Sequence, residues 1–167
     1  MKIGLLSDTH GHLDPKVFKY FEFCDEIWHA GDIGSGVIEQ LVDFKPTRAV
    51  FGNIDGQDVR IVCPEHAKFM CEDLKVWITH IGGYPPRYNA KIKKALQQSP
   101  PDIFICGHSH VLKIMRDPKI NNLLYINPGA AGIHGFHKVK TLVRFEVIGR
   151  DIKDMQVIEM GSRASAQ

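Results

Sequence analysis

The sequence predicts an α/β fold in which two β-sheets pack face to face with helices on their outer faces. Three observations carry that expectation. Apolar runs of strand length, rich in Ile, Val, Phe and Trp, recur along the chain, a composition that favours strands over buried helix. In the N-terminal half these runs alternate with helical patterns, whereas after Cys106 they follow one another with only turns between them, and two packed sheets accommodate both halves. The length of 167 residues fits one domain with a real core, since domains run to about 100–200 residues.

The elements follow in order. Lys2–Ser7 reads as the first strand. Pro15 suits the first turn of a helix, and Val17, Phe18, Phe21 and Cys24 then fall at helical spacings. Glu26–Ala30 is the second strand. Ser35 is placed to cap a second helix, whose Val37/Leu41 and Ile38/Val42 pairs share a face. Arg48–Phe51 is the third strand. Phe69–Cys71 and Lys75–Thr79, joined by Glu72-Asp73, read as a hairpin. A third helix over Asn89–Gln98 shows Ile92, Ala95 and Leu96 and stops before Pro100-Pro101. Asp102–Cys106, Val111–Met115, Leu123–Ile126, Val139–Val147 and Ile152–Ile158 complete the strands, with turns at Asp117-Pro118-Lys119 and Asn121-Asn122. Residues 1–160 read as a single domain, and 161–167 as a frayed polar tail.

Composition narrows the function classes. Lys and Arg number 21 against 19 Asp and Glu, a net charge of +2, so no extended basic face is expected and nucleic acid enters only as a possible substrate. Cys24, Cys63, Cys71 and Cys106 are scattered with no C-x-x-C pair, which points to reduced core thiols rather than a disulfide frame or a thiolate zinc site. The first apolar run is too short for a signal segment or a membrane span, so the expectation is a cytoplasmic protein without membrane attachment.

The chemistry shows at the strand ends. Ile3–Ser7 runs into Asp8-Thr9-His10, Ile27–Ala30 into Gly31-Asp32, Ala49–Phe51 into Gly52-Asn53-Ile54-Asp55, Val76–Thr79 into His80, and Ile103–Cys106 into Gly107-His108-Ser109-His110. Parallel strands bring their carboxyl ends to one edge, where ligands collect, so these donors are expected to converge. Asp8, His10, Asp32, Asn53, His80, His108 and His110 offer two carboxylates, four imidazoles and an amide oxygen. That set suits borderline divalent cations, with Mn2+ the first expectation and Fe2+, Zn2+, Ni2+ or Co2+ as alternatives. Seven donors exceed one tetrahedral site. If one carboxylate bridges, they serve two ions roughly 3.5–4 Å apart, and Asp32 is the expected bridge. Two divalent ions against two carboxylates leave surplus positive charge, which draws an anion and lowers the pKa of a bound water to about 7. Attack of that hydroxide on a phosphate ester is the expected reaction.

With these motifs in this order, Asp8-Thr9-His10, Gly31-Asp32, Gly52-Asn53-x-Asp55, Thr79-His80 and Gly107-His108-Ser109-His110, the sequence resembles the calcineurin-like metallophosphoesterase family, in its small bacterial and archaeal phosphodiesterase-like form. The resemblance spans most of the chain, and Asn127-Pro128-Gly129 resembles a further site-lining loop. It implies the family's four-layer αββα fold, with Asp8, His10, Asp32 and His110 holding one ion and Asp32, Asn53, His80 and His108 the other. It implies a phosphodiesterase acting on a small phosphate ester, in a protein that forms a homodimer or higher homo-oligomer. The chain departs from larger members at Ile54, where they carry a His thought to protonate the leaving group. It departs again at Ile81-Gly82-Gly83, and at Ala130 where a Ser often stands. Two other readings belong to the same resemblance: a phosphoesterase-like scaffold that binds protein, as the retromer subunit does, and a metal-dependent nuclease.

Single residues also admit plainer readings as turn or cap residues. His134 and His137, in Gly132-Ile133-His134-Gly135-Phe136-His137, are the candidates for phosphate contact or proton donation. Asp55 is expected to orient a ligand or cap its loop. His12 reads as a loop residue near the site, His29 as packing behind Asp32, and His66 as solvated. Trp28 and Trp77 read as core, and Lys91, Lys93 and Lys94 as a solvated helix face.

Overall fold

In the computed structural model, which describes residues 1–163, alternation along each strand decides which layer a side chain joins. In β1 (Lys2–Leu6), Ile3 and Leu5 face one way and Leu6 the other, the two-residue period of a pleated strand. Ile3 and Leu5 meet Val76, Ile78, Ile103, Ile105, Leu124 and Ile126 in a central cluster. Leu6 instead joins Val17, Phe21, Leu41 and Val59, which lie in or beside the helices of the N-terminal half. On the far side, Trp77, Phe104 and Tyr125 pack with Ile92 and Leu96. The layers are therefore helices, sheet, sheet and helix, the predicted two-sheet sandwich flanked by helices.

The first sheet contains β1, β2 (Glu26–His29), β3 (Thr47–Ala49), β11 (Val139–Ile148) and β12 (Asp151–Ser162), ordered β12-β11-β1-β2-β3. The second contains β4 (His66–Cys71), β5 (Leu74–Thr79), β8 (Ile103–Ile105), β9 (Leu112–Asp117) and β10 (Leu123–Pro128), ordered β4-β5-β8-β10-β9. β1, β2 and β3 run parallel, as do β5, β8 and β10. Each sheet thus delivers the carboxyl ends of its parallel strands to one edge. A small hairpin, β6 (Gly83–Tyr84) with β7 (Arg87–Tyr88), follows β5.

The helices α1 (Lys16–Tyr20), α2 (Val37–Phe44) and α3 (Gln57–Val62) accompany the first sheet, and α4 (Ala90–Gln98) the second. α4 lies where a helix was expected, and Asn89, expected as its first residue, is its N-cap, with Oδ1 accepting the Ile92 N–H at 2.8 Å. α2 lacks the cap expected of it. Its N-cap is Gly36 in the left-handed region (φ 78°) with no side-chain cap, and the Ser35 hydroxyl donates instead to Asp58 of α3 at 2.9 Å. β12 runs through Gly161 and Ser162, into the segment expected to be a tail; positions 164–167 lie outside the described residues. All four cysteines are buried free thiols. Among the described residues, no helix is long and apolar enough to cross a membrane.

Candidate metal centre

The two ligand-bearing edges meet because backbone hydrogen bonds lock neighbouring loops in step. Asp8 N–H donates to Gly31 O at 3.0 Å and His10 N–H to Asp32 O at 3.0 Å, tying the loop after β1 to the loop after β2. In the second sheet, Gly107 N–H donates to His80 O at 3.1 Å. Two contacts cross between sheets: His80 Nδ1 meets Ala30 O at 2.8 Å, and His108 N–H points at the Asp8 carboxylate at 3.2 Å. The loop after β10 closes over the same edge, with Ala131 N–H on Ser7 O and Gly132 N–H on Asp8 O at 2.9 and 3.1 Å.

Glycines make the approach possible. A methyl group at Gly52 would stand 2.1 Å from Asp32 Oδ1, and one at Gly107 would stand 2.1 Å from Ser7 Oγ and 2.8 Å from Asp8 Oδ2. Only a residue without Cβ lets these loops lie against the carboxylates.

Six of the expected ligands fall into two groups. Asp8, His10 and His110 form one and Asp32, His80 and His108 the other, with the donor atoms of each group all within 4.8 Å of one another. His110 Nε2 lies 3.2 Å from Asp8 Oδ1. Asp32 faces both ways: Oδ1 lies 3.2 Å from His80 Nε2 and Oδ2 3.6 Å from His10 Nε2. Asn53 and His80 share the wall of an adjoining cavity of about 240 Å³. Asp8, His10, Asp32, His108 and His110 all adopt left-handed backbones, with φ between 50° and 68°. For residues other than glycine that conformation costs about 1–2 kcal/mol each and concentrates at functional sites.

The donor chemistry fits divalent cations. His10 Nε2 and His80 Nε2 are buried imidazole nitrogens with no hydrogen-bond partner, one in each group. An orphaned buried nitrogen is costly unless something accepts its lone pair. The Ala30 carbonyl holds the proton on His80 Nδ1, which leaves Nε2 with the lone pair a metal takes. Burial pulls the His10 pKa below its ordinary value against the opposing Asp32 and Asp8 charges. For His80, burial acts the same way but is outweighed by contact with Asp32 and the Asp8 charge, so its pKa is raised. Asp32 is held below the usual carboxylate range, because His80, the Ile54 N–H and His10 outweigh the opposing effect of burial.

The supporting residues sit behind this surface. Asp55 directs its carboxylate at backbone N–H groups: Gly52 at 2.7 Å, Ile33 at 3.1 Å and Gly34 at 2.8 Å. It therefore staples the Asp32 loop to the Asn53 loop, and its oxygens are occupied. His29 is fully buried; its Nδ1 accepts the Gly31 N–H at 3.2 Å, so Nε2 carries the proton and donates to Thr9 Oγ1 at 2.9 Å. Thr9 Oγ1 in turn donates to Ile33 O at 2.7 Å. Burial lowers the His29 pKa to about 4. The His134 side chain is exposed, its ring 6.0 Å from that of His10. His137 Nε2 is bonded to Gly132 O at 2.9 Å, and its Nδ1 is buried without a partner, with the ring 5.2 Å from that of His110.

The sequence places Asn127 in a site-lining loop without giving it a role, and does not single out Arg60. Asn127 donates to Gly107 O at 2.9 Å and to Ser109 Oγ at 3.1 Å, clasping the turn that carries His108 and His110. The signal was available, since Asn127 ends the apolar run Leu123–Ile126 just as the ligands end theirs. Arg60 holds the Asn53 loop, with Nε on Asp55 O at 2.6 Å and Nη2 on Gly52 O at 3.2 Å; it lies in α3, which no pattern revealed.

Known proteins share this architecture. The family model described as the calcineurin-like phosphoesterase superfamily domain matches residues 1–150. A phosphodiesterase of Methanocaldococcus jannaschii is 30% identical over 147 residues, covering 77% of this chain and 83% of that protein. A solved structure described as a novel archaeal phosphodiesterase superposes with a TM-score of 0.76 at 25% identity, covering 96% of this chain and all of that one. Entamoeba histolytica Vps29 complexed with zinc shares the fold, with a TM-score of 0.71 at 17% identity over 95% of this chain and 99% of its own.

Proposed function

This chain belongs to the calcineurin-like phosphoesterase superfamily, and we propose that it is a phosphodiesterase working with two divalent cations, one at each of its two donor groups. The observation that carries this reading is the pair of orphaned buried nitrogens, His10 Nε2 and His80 Nε2, set among carboxylates. Bound there, two cations supply the positive charge that draws the oxygens of a phosphate ester and acidifies water. Two carboxylates and four imidazoles without a thiolate suit a borderline divalent cation, with Mn2+ the first expectation and Fe2+, Zn2+, Ni2+ or Co2+ the alternatives.

The chain's own residues do the rest. Asp32 offers one oxygen to each group and is assigned as the shared ligand. Asn53 adds its amide oxygen on the His80 side, next to the cavity. The Gly31–Gly34 and Gly52–Asp55 loops are fixed by Asp55 before substrate arrives, so little reordering accompanies binding. Ile54 follows Asn53 and cannot pass a proton, so help for the leaving oxygen falls to His134, exposed beside His10. The phosphodiester preference rests on the named relatives and on this missing imidazole. The substrate is taken to be a small ester met in the cytoplasm by a homo-oligomeric enzyme. The likeness to Vps29 is one of fold and gives the scaffold reading no support of its own.

Matched nitrophenyl esters test the proposal. With Mn2+ added, bis(p-nitrophenyl) phosphate turns over faster than p-nitrophenyl phosphate. Equal or faster monoester turnover overturns the diester preference, and no turnover of either overturns hydrolysis itself.

A further inference from the structure

The two sides of the centre differ in how much room they leave. On the His110 side the loop after β10 lies against the ligand: a methyl group at Gly135 would stand 2.1 Å from His110 Nδ1. On the other side lies the cavity of about 240 Å³, whose wall includes Asn53 and His80. A diester has two arms, and one must leave the phosphorus toward open space. The cavity beside Asn53 and His80 offers such space.

Its remaining walls are specific. Phe51, Arg60, Glu65 and Ile81 line it. The Arg60 guanidinium stacks over the Phe51 ring, 4.3 Å from its centroid, and is fixed there by its bonds to Asp55 O and Gly52 O. A guanidinium immobilised in this way is a planar, weakly hydrated platform onto which a second ring can stack. Ile81, 45% exposed, supplies an apolar edge. Glu65 places a carboxylate at the rim, with its side chain 65% exposed, and this disfavours an arm carrying further phosphate groups.

Resting on the phosphodiesterase reading, the geometry points to a subsite for a neutral, planar aromatic ester arm, an aryl group or a nucleobase, stacked on Arg60 and Phe51. The substrate class is then a phosphodiester with at least one such arm, and Arg60 is its specificity-determining residue.

Equilibrium binding tests this without turnover. Calorimetry on the Mn2+-loaded protein is run with inorganic phosphate, methyl phosphate and phenyl phosphate. Phenyl phosphate is expected to bind about tenfold tighter than methyl phosphate, the scale of one stacking contact. In Arg60→Lys, which keeps the charge and loses the plane, and in Phe51→Leu, that ratio falls to about two or less; Phe51→Leu, which leaves the Arg60 bonds to the Asn53 loop in place, also keeps the affinity for inorganic phosphate and the metal content. A ratio near one in the wild type, or a ratio unchanged in both variants, overturns the subsite and leaves the phosphodiesterase reading standing. If either variant loses its metal, Ile81→Ser, which touches neither loop bond, must lower the ratio; an unchanged ratio there also overturns it. No turnover of either nitrophenyl ester by the same wild-type preparation sinks the phosphodiesterase reading, and this inference with it.

Discussion

At the scale of single residues, His29 shows how burial converts into pH dependence. It is fully buried, and its Nδ1 is committed to accepting the Gly31 N–H. Protonation would break that bond and strand a charge in the core. Its folded pKa is therefore about 4, against the ordinary 6.5 of an unfolded chain. A depressed folded value means that the unfolded state takes up the proton first as pH falls. The stability is present above pH 6.5 and is lost as pH drops toward 4. Between pH 7 and pH 5 this one side chain should remove about 2 kcal/mol. Urea midpoints at the two pH values measure it: in His29→Gln the protein starts less stable but loses correspondingly less over the interval. An equal loss in both proteins would assign the acid sensitivity elsewhere.

At the scale of elements, α4 offers a clean test of local causes. Asn89 caps it through the Ile92 N–H and also donates to Ile81 O, next to His80, at 3.1 Å. Asn89→Ala should cost about 1 kcal/mol of stability and leave metal content unchanged; loss of bound metal would mean that α4 positions the site. From the sequence Asn89 reads as the first residue of that helix, and the structure moves it one place out, to the cap. At α2 the sequence offers Ser35 as a cap, but its hydroxyl donates to Asp58 of α3, a helix that no periodic apolar face reveals. α3 escapes periodicity because it buries Val59 while leaving Ile61 and Val62 72% and 63% exposed, so its apolar residues trace no single face. β6 and β7 span two residues each, too short for alternation to register. β4 was read short because its first half, His66 to Lys68, is a polar edge. The donors themselves were legible because each ends a buried apolar run. The residues that hold the donors, Asp55, Arg60 and Asn127, work through backbone bonds that spacing does not encode.

At the scale of the molecule, the centre is a joint between two sheets. Asp8, His10, Asp32 and Asn53 come from the ends of β1, β2 and β3, and His80, His108 and His110 from the ends of β5 and β8. Without cations, the charge near Asp8 and Asp32, the orphaned nitrogens of His10 and His80, and five left-handed ligand backbones all weigh against the packed state. The central cluster of Ile, Val and Leu side chains from both sheets must hold the edges together against them. Cations that bind only the folded arrangement therefore stabilise the whole sandwich and not a loop. At about a hundred times its dissociation constant, an ion adds about 2.7 kcal/mol, which for a chain of this size raises Tm by about 5–10 °C. Scanning calorimetry with Mn2+ and then with EDTA should show that rise and its reversal. Asp32→Ala should abolish nearly all of it, because one carboxylate faces both groups. A variant that keeps the full Mn2+ shift, or retains two ions per chain, would show that Asp32 is not shared. The two groups would then be independent sites, each still joining donors of one sheet to donors of the other.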